Sequence, residues 1–164
     1  MRRVFVFCLL FVISVVLQST VFNFLKVGGV KPDLLLVIVV LSAVFNGKKT
    51  GGAVGFAYGF FEDLLVGKYI GARTLSKMLA GYAVGLLERK IFPDNFIVPI
   101  VVGILGTAVH NAVYFAVMLL AGASSFTLGS FVSQTVSSGL YNLCVAMIAY
   151  GPMYNSSVRG VLKM

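Results

Sequence analysis

In the stretch "TGGAVGFAYGFFEDLLVGKYIGARTLSK", residues 50–77, Glu62 and Asp63 stand side by side in a segment otherwise apolar and rich in glycine. Two carboxylates could share acid–base work or hold a cation. On a helix, however, adjacent residues point about 100° apart, so the pair does not have the facing geometry of a glycosidase dyad. Inside a bilayer a carboxylate is costly and marks either an ion path or an ion pair. Lys68, Arg73 and Lys77 follow closely, and pairing with Arg73 or Lys77 would offset part of the burial cost. Ion pairing, proton or cation handling, and contact with a partner outside the membrane all stay open for Glu62 and Asp63.

His110 and Asn111 form the other polar pair. They read either as a proton relay or as hydrogen-bonded structure with Thr107 or Tyr114. One histidine cannot build a metal site alone, and Cys8 and Cys144 lie in apolar runs without CxxC or Cys/His spacing. There is no nucleophile elbow, phosphate loop or Ser/His/Asp grouping at one depth. The expectation is no enzyme, no cofactor and no metal.

The elements that carry these residues are membrane helices. The chain is 59% hydrophobic and 11% charged, with a mean hydropathy of +1.01. A soluble domain is nearer half apolar and a quarter charged, and a chain of this size cannot hide so much apolar surface in a soluble core. The fold class is therefore an all-α integral membrane protein, a single domain over residues 1–164. Apolar runs and their breakers mark six transmembrane helices in a compact bundle, at about 4–25, 33–45, 50–66, 71–87, 96–121 and 128–152. Pro32 precedes the second. The second and third are short against the roughly 20 residues a crossing needs. They either cross as short helices or form a re-entrant hairpin around "NGKKTG", and crossing is favoured because a re-entrant hairpin would leave Lys48 and Lys49 mid-membrane.

The net charge is +8, but the basic residues fall in short loops, as membrane topology demands. No basic arm is long enough for nucleic acid. With both termini cytoplasmic, Arg2, Arg3, Lys48, Lys49, Arg89, Lys90, Arg159 and Lys163 lie inside. Lys26, Lys31, Lys68, Arg73 and Lys77 lie outside, in the direction of the positive-inside rule. The start "MRRVFVFCLLFVISVVLQS" reads as a retained first helix, its apolar run being too long for a usual signal peptide.

Placed on helices, the polar and small residues collect into stripes. Gly51, Gly55, Tyr58, Gly59 and Glu62 share one arc, with Asp63 at its edge. Arg73, Lys77, Gly81 and Gly85 line up four apart. Gly103, Gly106, Thr107, His110, Asn111 and Tyr114 share a face, as do Ser130, Ser133, Gln134, Ser137, Ser138 and Tyr141, with Asn142 at the edge. Small residues allow helices to approach closely in lipid, so Gly51, Gly55, Gly59, Gly81 and Gly85 are expected to form a packing face. The stripes around Glu62, Asp63, Arg73, Lys77, His110, Asn111 and Gln134 read as interior glue, as a pocket for a small polar ligand, or as a docking face for a partner helix.

Four motifs recur in a recognisable order: "LQST-VF" at 17–22, "KPDLLL" at 31–36, "GGAVGFAYGFFEDLLVGKYIGARTL" at 51–75 and "GYAVGLLER" at 81–89. Over roughly residues 1–95 the chain resembles the MreD family of bacterial rod shape-determining membrane proteins. The last third matches only in length and helix count. The resemblance implies a scaffold of the cell-elongation machinery in the bacterial cytoplasmic membrane, regulating side-wall peptidoglycan synthesis without chemistry of its own. The implied partners are an MreC-like bitopic protein, a RodA-type glycosyltransferase with its penicillin-binding transpeptidase, and MreB indirectly, in a setting of membrane lipid. Family-pattern positions are Gln18, Pro32, Asp33, Gly55, Gly59, Asp63, Gly67 and Gly71. Gln18, Pro32 and Asp33, near the outer surface, are the candidates for the partner interface.

Two other readings compete. A substrate-binding S-component of an energy-coupling factor transporter is similar in architecture, but the first span, Val4–Leu25, lacks the alanines of the face that docks the coupling subunit. A small ion or proton transporter would rest on Glu62, Asp63 and His110, without a detectable inverted repeat.

Overall fold

The computed structural model describes residues 2–20, 31–66, 69–87, 97–122 and 128–158. Lys26, Gly67, Lys68, Arg89, Lys90, Arg159 and Lys163 lie outside the described residues. The described residues form five helical segments: α1 (Arg2–Ser19), α2 (Leu34–Val66), α3 (Ala72–Gly85), α4 (Val98–Leu120) and α5 (Leu128–Val158). Among the described residues there is no strand.

The second segment is two helices joined at a break. Gly47 has φ 81° and ψ 175°, which a residue with a Cβ adopts only with strain. The chain folds back there: a Cβ added at Gly51 would collide with Ala43, and Asp33 and Glu62, from opposite ends of the segment, meet the same lysine. The expected boundary around "NGKKTG" is thus a tight reversal. By length and composition Leu34–Leu65, Val98–Leu120 and Phe131–Asn155 are apolar enough to cross a membrane, and Phe5–Ser19 is a shorter apolar helix. In the first of these the two arms, rather than the whole length, set the reach. At 1.5 Å per residue the arm of residues 34–46 is about 20 Å long.

That arm is the centre of the bundle. Leu35, Val39 and Leu41 are fully buried and Leu36, Val37, Ile38, Val40 and Val44 nearly so. A helix apolar on every side belongs where protein surrounds it. Leu35, Val37, Val39 and Leu41 pack with Phe7 of α1, Tyr58 of the second arm, and Ala146 and Met153 of α5. Leu36, Val40, Ala43 and Val44 pack with Ala80 and Val84 of α3 and Val98 and Val102 of α4. The outer faces of α1, α4 and α5 stay apolar and exposed, with Phe5, Val12, Ile104, Val136 and Ile148 among the residues displayed. This is a rim for lipid around a protein-filled centre.

Several helix limits differ from the sequence expectation, among them the end of α1 at Ser19. α5 runs through Pro152 to Val158 rather than stopping at the proline, as membrane helices tolerate where other groups satisfy the backbone. α3 starts after Gly71, whose φ of 100° is a left-handed turn suited to glycine.

Candidate functional site

The five glycines of the expected packing face all lie where α3 crosses the second arm of α2 and the reversal. A Cβ at Gly55 would overlap the backbone of Lys77, and one at Gly59 would come 2.6 Å from the Arg73 carbonyl oxygen and the Thr74 Cα. Gly51 and Gly81 meet backbone to backbone, and Gly85 meets Gly47 and Lys48. The two helices run antiparallel with glycine every fourth residue at the contact. Because the blocking atoms are mainly backbone, they cannot rotate away.

This approach decides where the cations go. With the Lys77 backbone against Gly55, its ammonium is fully buried between two carboxylates. Lys77 Nζ pairs with Asp33 Oδ2 and lies 2.8 Å from Glu62 Oε2. Arg73 Nε lies 3.4 Å from Glu62 Oε1. The ion pair expected for Glu62 is therefore present, with both cations. A buried pair contributes little net stability, yet removing one member leaves an uncompensated charge.

Asp63 departs from the ion-pair expectation. One residue further round the helix, it turns to the start of α3. Its Oδ2 accepts N–H bonds from Gly71 (2.9 Å) and Thr74 (3.0 Å) and the Thr74 hydroxyl (2.7 Å), and Oδ1 accepts from Arg73 N–H (3.3 Å). The first amides of a helix have no internal partner, and a carboxylate there also meets the positive end of the helix dipole. Asp63 is only 1% exposed, so water cannot do this job.

Gln18, Pro32 and Asp33, expected to face a partner, are turned inward instead. Gln18 and Pro32 are buried. The hydrogen-bond network assigns the Gln18 amide oxygen to the first amides of α2, Leu34 N–H at 2.7 Å and Leu35 N–H at 3.0 Å. Asp33 Oδ1 accepts from Leu36 N–H at 2.9 Å. Asp33 N–H donates to Asn142 Oδ1 at 2.8 Å, and Asn142 donates to Thr107 Oγ1 at 3.0 Å. Three elements thus cap one helix start. Thr74 and the capping role of Gln18 were not foreseen, and Asn142 was placed only at a stripe's edge.

The His110 and Asn111 side chains take different partners. Asn111 donates to Ser138 Oγ at 2.9 Å and Thr135 Oγ1 at 3.4 Å across to α5. The His110 ring stacks on Tyr114 with centroids 6.1 Å apart, and its buried Nδ1 has no hydrogen-bond partner among the described residues. Both residues line a cleft of about 150 Å³ between α3, α4 and α5, together with Arg73, Tyr114, Phe115, Phe131, Gln134 and Thr135. Gln134 is exposed there. Among the described residues no group of three His, Cys, Asp or Glu is placed to hold a metal.

The order of these features along the chain is that of a known family, and the family model described as rod shape-determining protein MreD matches residues 1–156. The chain belongs to the MreD family. The match runs well past residue 95, where the visible motifs end, and takes in α4 and most of α5. Nothing matches among curated proteins or among solved structures. MreD membership brings a role in rod-shape determination, and with the apolar helices it makes this a membrane protein. Of the MreD-pattern positions, Gly55, Gly59, Asp63 and Gly71 sit at the α2–α3 seam, while Gln18 and Asp33 hold the start of α2 and Pro32 is buried beside it.

Proposed function

We propose that this chain is a non-enzymatic scaffold of the cell-elongation machinery, regulating side-wall peptidoglycan synthesis from the bacterial cytoplasmic membrane with both termini inside. Its partners in this reading are an MreC-like bitopic protein and, with it, a RodA-type glycosyltransferase and penicillin-binding transpeptidase, with MreB linked indirectly. The observation that carries the reading is the family match across residues 1–156. The interior supports it. Asp33, Glu62 and Asp63 are all engaged in holding helices together, which leaves the bundle's outward faces for partners. Those faces, on α1, α4 and α5, are broad and apolar, suited to a partner's membrane helix packing by shape.

A second reading, a ligand-binding bundle of the S-component kind, is favoured by the cleft beside Arg73 and His110. The two separate on what the tagged protein brings with it from its native membrane in mild detergent. Recovery of an MreC-like protein, with or without the RodA-type pair, supports the scaffold. Recovery of a coupling membrane subunit with paired ATPases, and no elongation protein, overturns it.

A further inference from the structure

We infer that the seam between α4 and α5 holds one anionic phospholipid, its phosphate at Arg73 and an acyl chain in the apolar groove alongside. A second cavity lies along the same pair of helices, α4 and α5. This groove, about 250 Å³, is lined by Ile104, Ala108, Val136, Gly139, Leu140 and Leu143 and shares Thr135 with the cleft. The two form a head-and-tail site. A guanidinium suits phosphate oxygens because it offers several N–H donors in one plane.

The donors are in place. Arg73 shares Glu62 with Lys77, and 27% of its side chain stays exposed. The guanidinium lines the cleft and can meet an anion there. The Gln134 amide adds N–H groups on the α5 side. The depths agree as well. At 1.5 Å per residue Gln134 lies about 9 Å from the start of α5 and Leu143 about 22 Å from it. A headgroup near the helix end with a chain running inward needs that order. At Gly139 an added Cβ would meet nothing within 4 Å, so the groove is open at its centre.

The test uses the full-length protein purified in detergent and native mass spectrometry with two probes of identical chains, dioleoylphosphatidylglycerol and uncharged dioleoylglycerol. The expected result is one phosphatidylglycerol retained per chain, about tenfold more tightly than dioleoylglycerol, as loss of a charge-assisted phosphate contact implies. Arg73→Gln keeps an amide for Glu62 and is expected to erase that preference. Gly139→Phe fills the groove and is expected to lower retention of both probes. Equal retention of the two lipids by the wild type overturns the inference. So does unchanged retention in Gly139→Phe, which decides the matter if Arg73→Gln fails to fold. Complete displacement of the lipid by millimolar inorganic phosphate would assign the cleft to a soluble anion and overturn it too. None of these outcomes depends on which proteins the chain binds.

Discussion

Replacing Lys77 by methionine tests whether the interior charges are structural. The side chain is fully buried and joins Asp33 and Glu62. Methionine fills a similar volume but leaves two carboxylates facing each other. Breaking a buried pair in this way costs about 3–5 kcal/mol. For a chain of this size that corresponds to a melting point about 6–20 °C lower. The loss is unequal. Glu62 retains Arg73 at 3.4 Å, whereas Asp33 loses its one cation among the described residues. Adding Asp33→Asn should therefore recover most of the loss, since the amide oxygen still accepts from Leu36 N–H. The chain has no tryptophan, so the assay is helix circular dichroism during heating in detergent, paired with size-exclusion profiles after each step. A Lys77→Met protein that melts within about 2 °C of the wild type would refute the reasoning. A double variant no better than the single one would refute the assignment of the damage to Asp33.

Asp63→Ala strips four accepted bonds from the start of α3 and is expected to cost about 2–4 kcal/mol. Asp63→Asn keeps one oxygen for the three shorter bonds and should cost about half as much; equal losses on thermal melting would contradict the cap. Gly55→Ala puts a methyl against the Lys77 backbone and should destabilise by at least about 1–3 kcal/mol. Gly55→Leu should abolish both expression and rod-shape complementation, while Gly139→Ala, in open space, should leave complementation intact. Asn142→Leu removes the acceptor for Asp33 N–H and the donor to Thr107 and should cost about 1–3 kcal/mol, read as a lower melting point with the helix content at low temperature unchanged.

Periodicity made part of this legible. Glycines four apart at 51, 55 and 59 and again at 81 and 85 were legible as close-approach positions, because a residue without a Cβ lets a neighbouring backbone come near. The unbroken apolar run of 34–41 was legible as part of a span, but its place at the centre of the bundle was not. What a helical wheel could not give was the fate of Glu62 against Asp63. A rotation of about 100° sends one to the cations and the other to the α3 amides, and that depends on where the loop delivers α3. Asp33 stayed ambiguous for a related reason. Its cation lies 44 residues away and its other contact, Asn142, lies 109 away, so no local pattern joins them. A polar residue near a span's end reads as surface until the neighbouring helices are placed.

The structure gives a common origin to these separated charges. The first arm of α2 and α3 are both short, and each start is held by buried side chains. Each start leaves amides that the helix itself cannot satisfy. Gln18 and Asp33 satisfy one set, and Asp63 satisfies the other. Carboxylates suit that task because they accept several bonds and oppose the helix dipole, but they bring negative charge into a dry interior. Lys77 balances Asp33 and Glu62, and it reaches them because Gly55 lets its backbone come close. The glycines, caps and ion pairs are thus one solution to packing short helices within a membrane. On this account the carboxylates need no ion pathway to explain them. Arg73, His110 and Gln134, beyond their contacts in the bundle, line the one polar cleft described above.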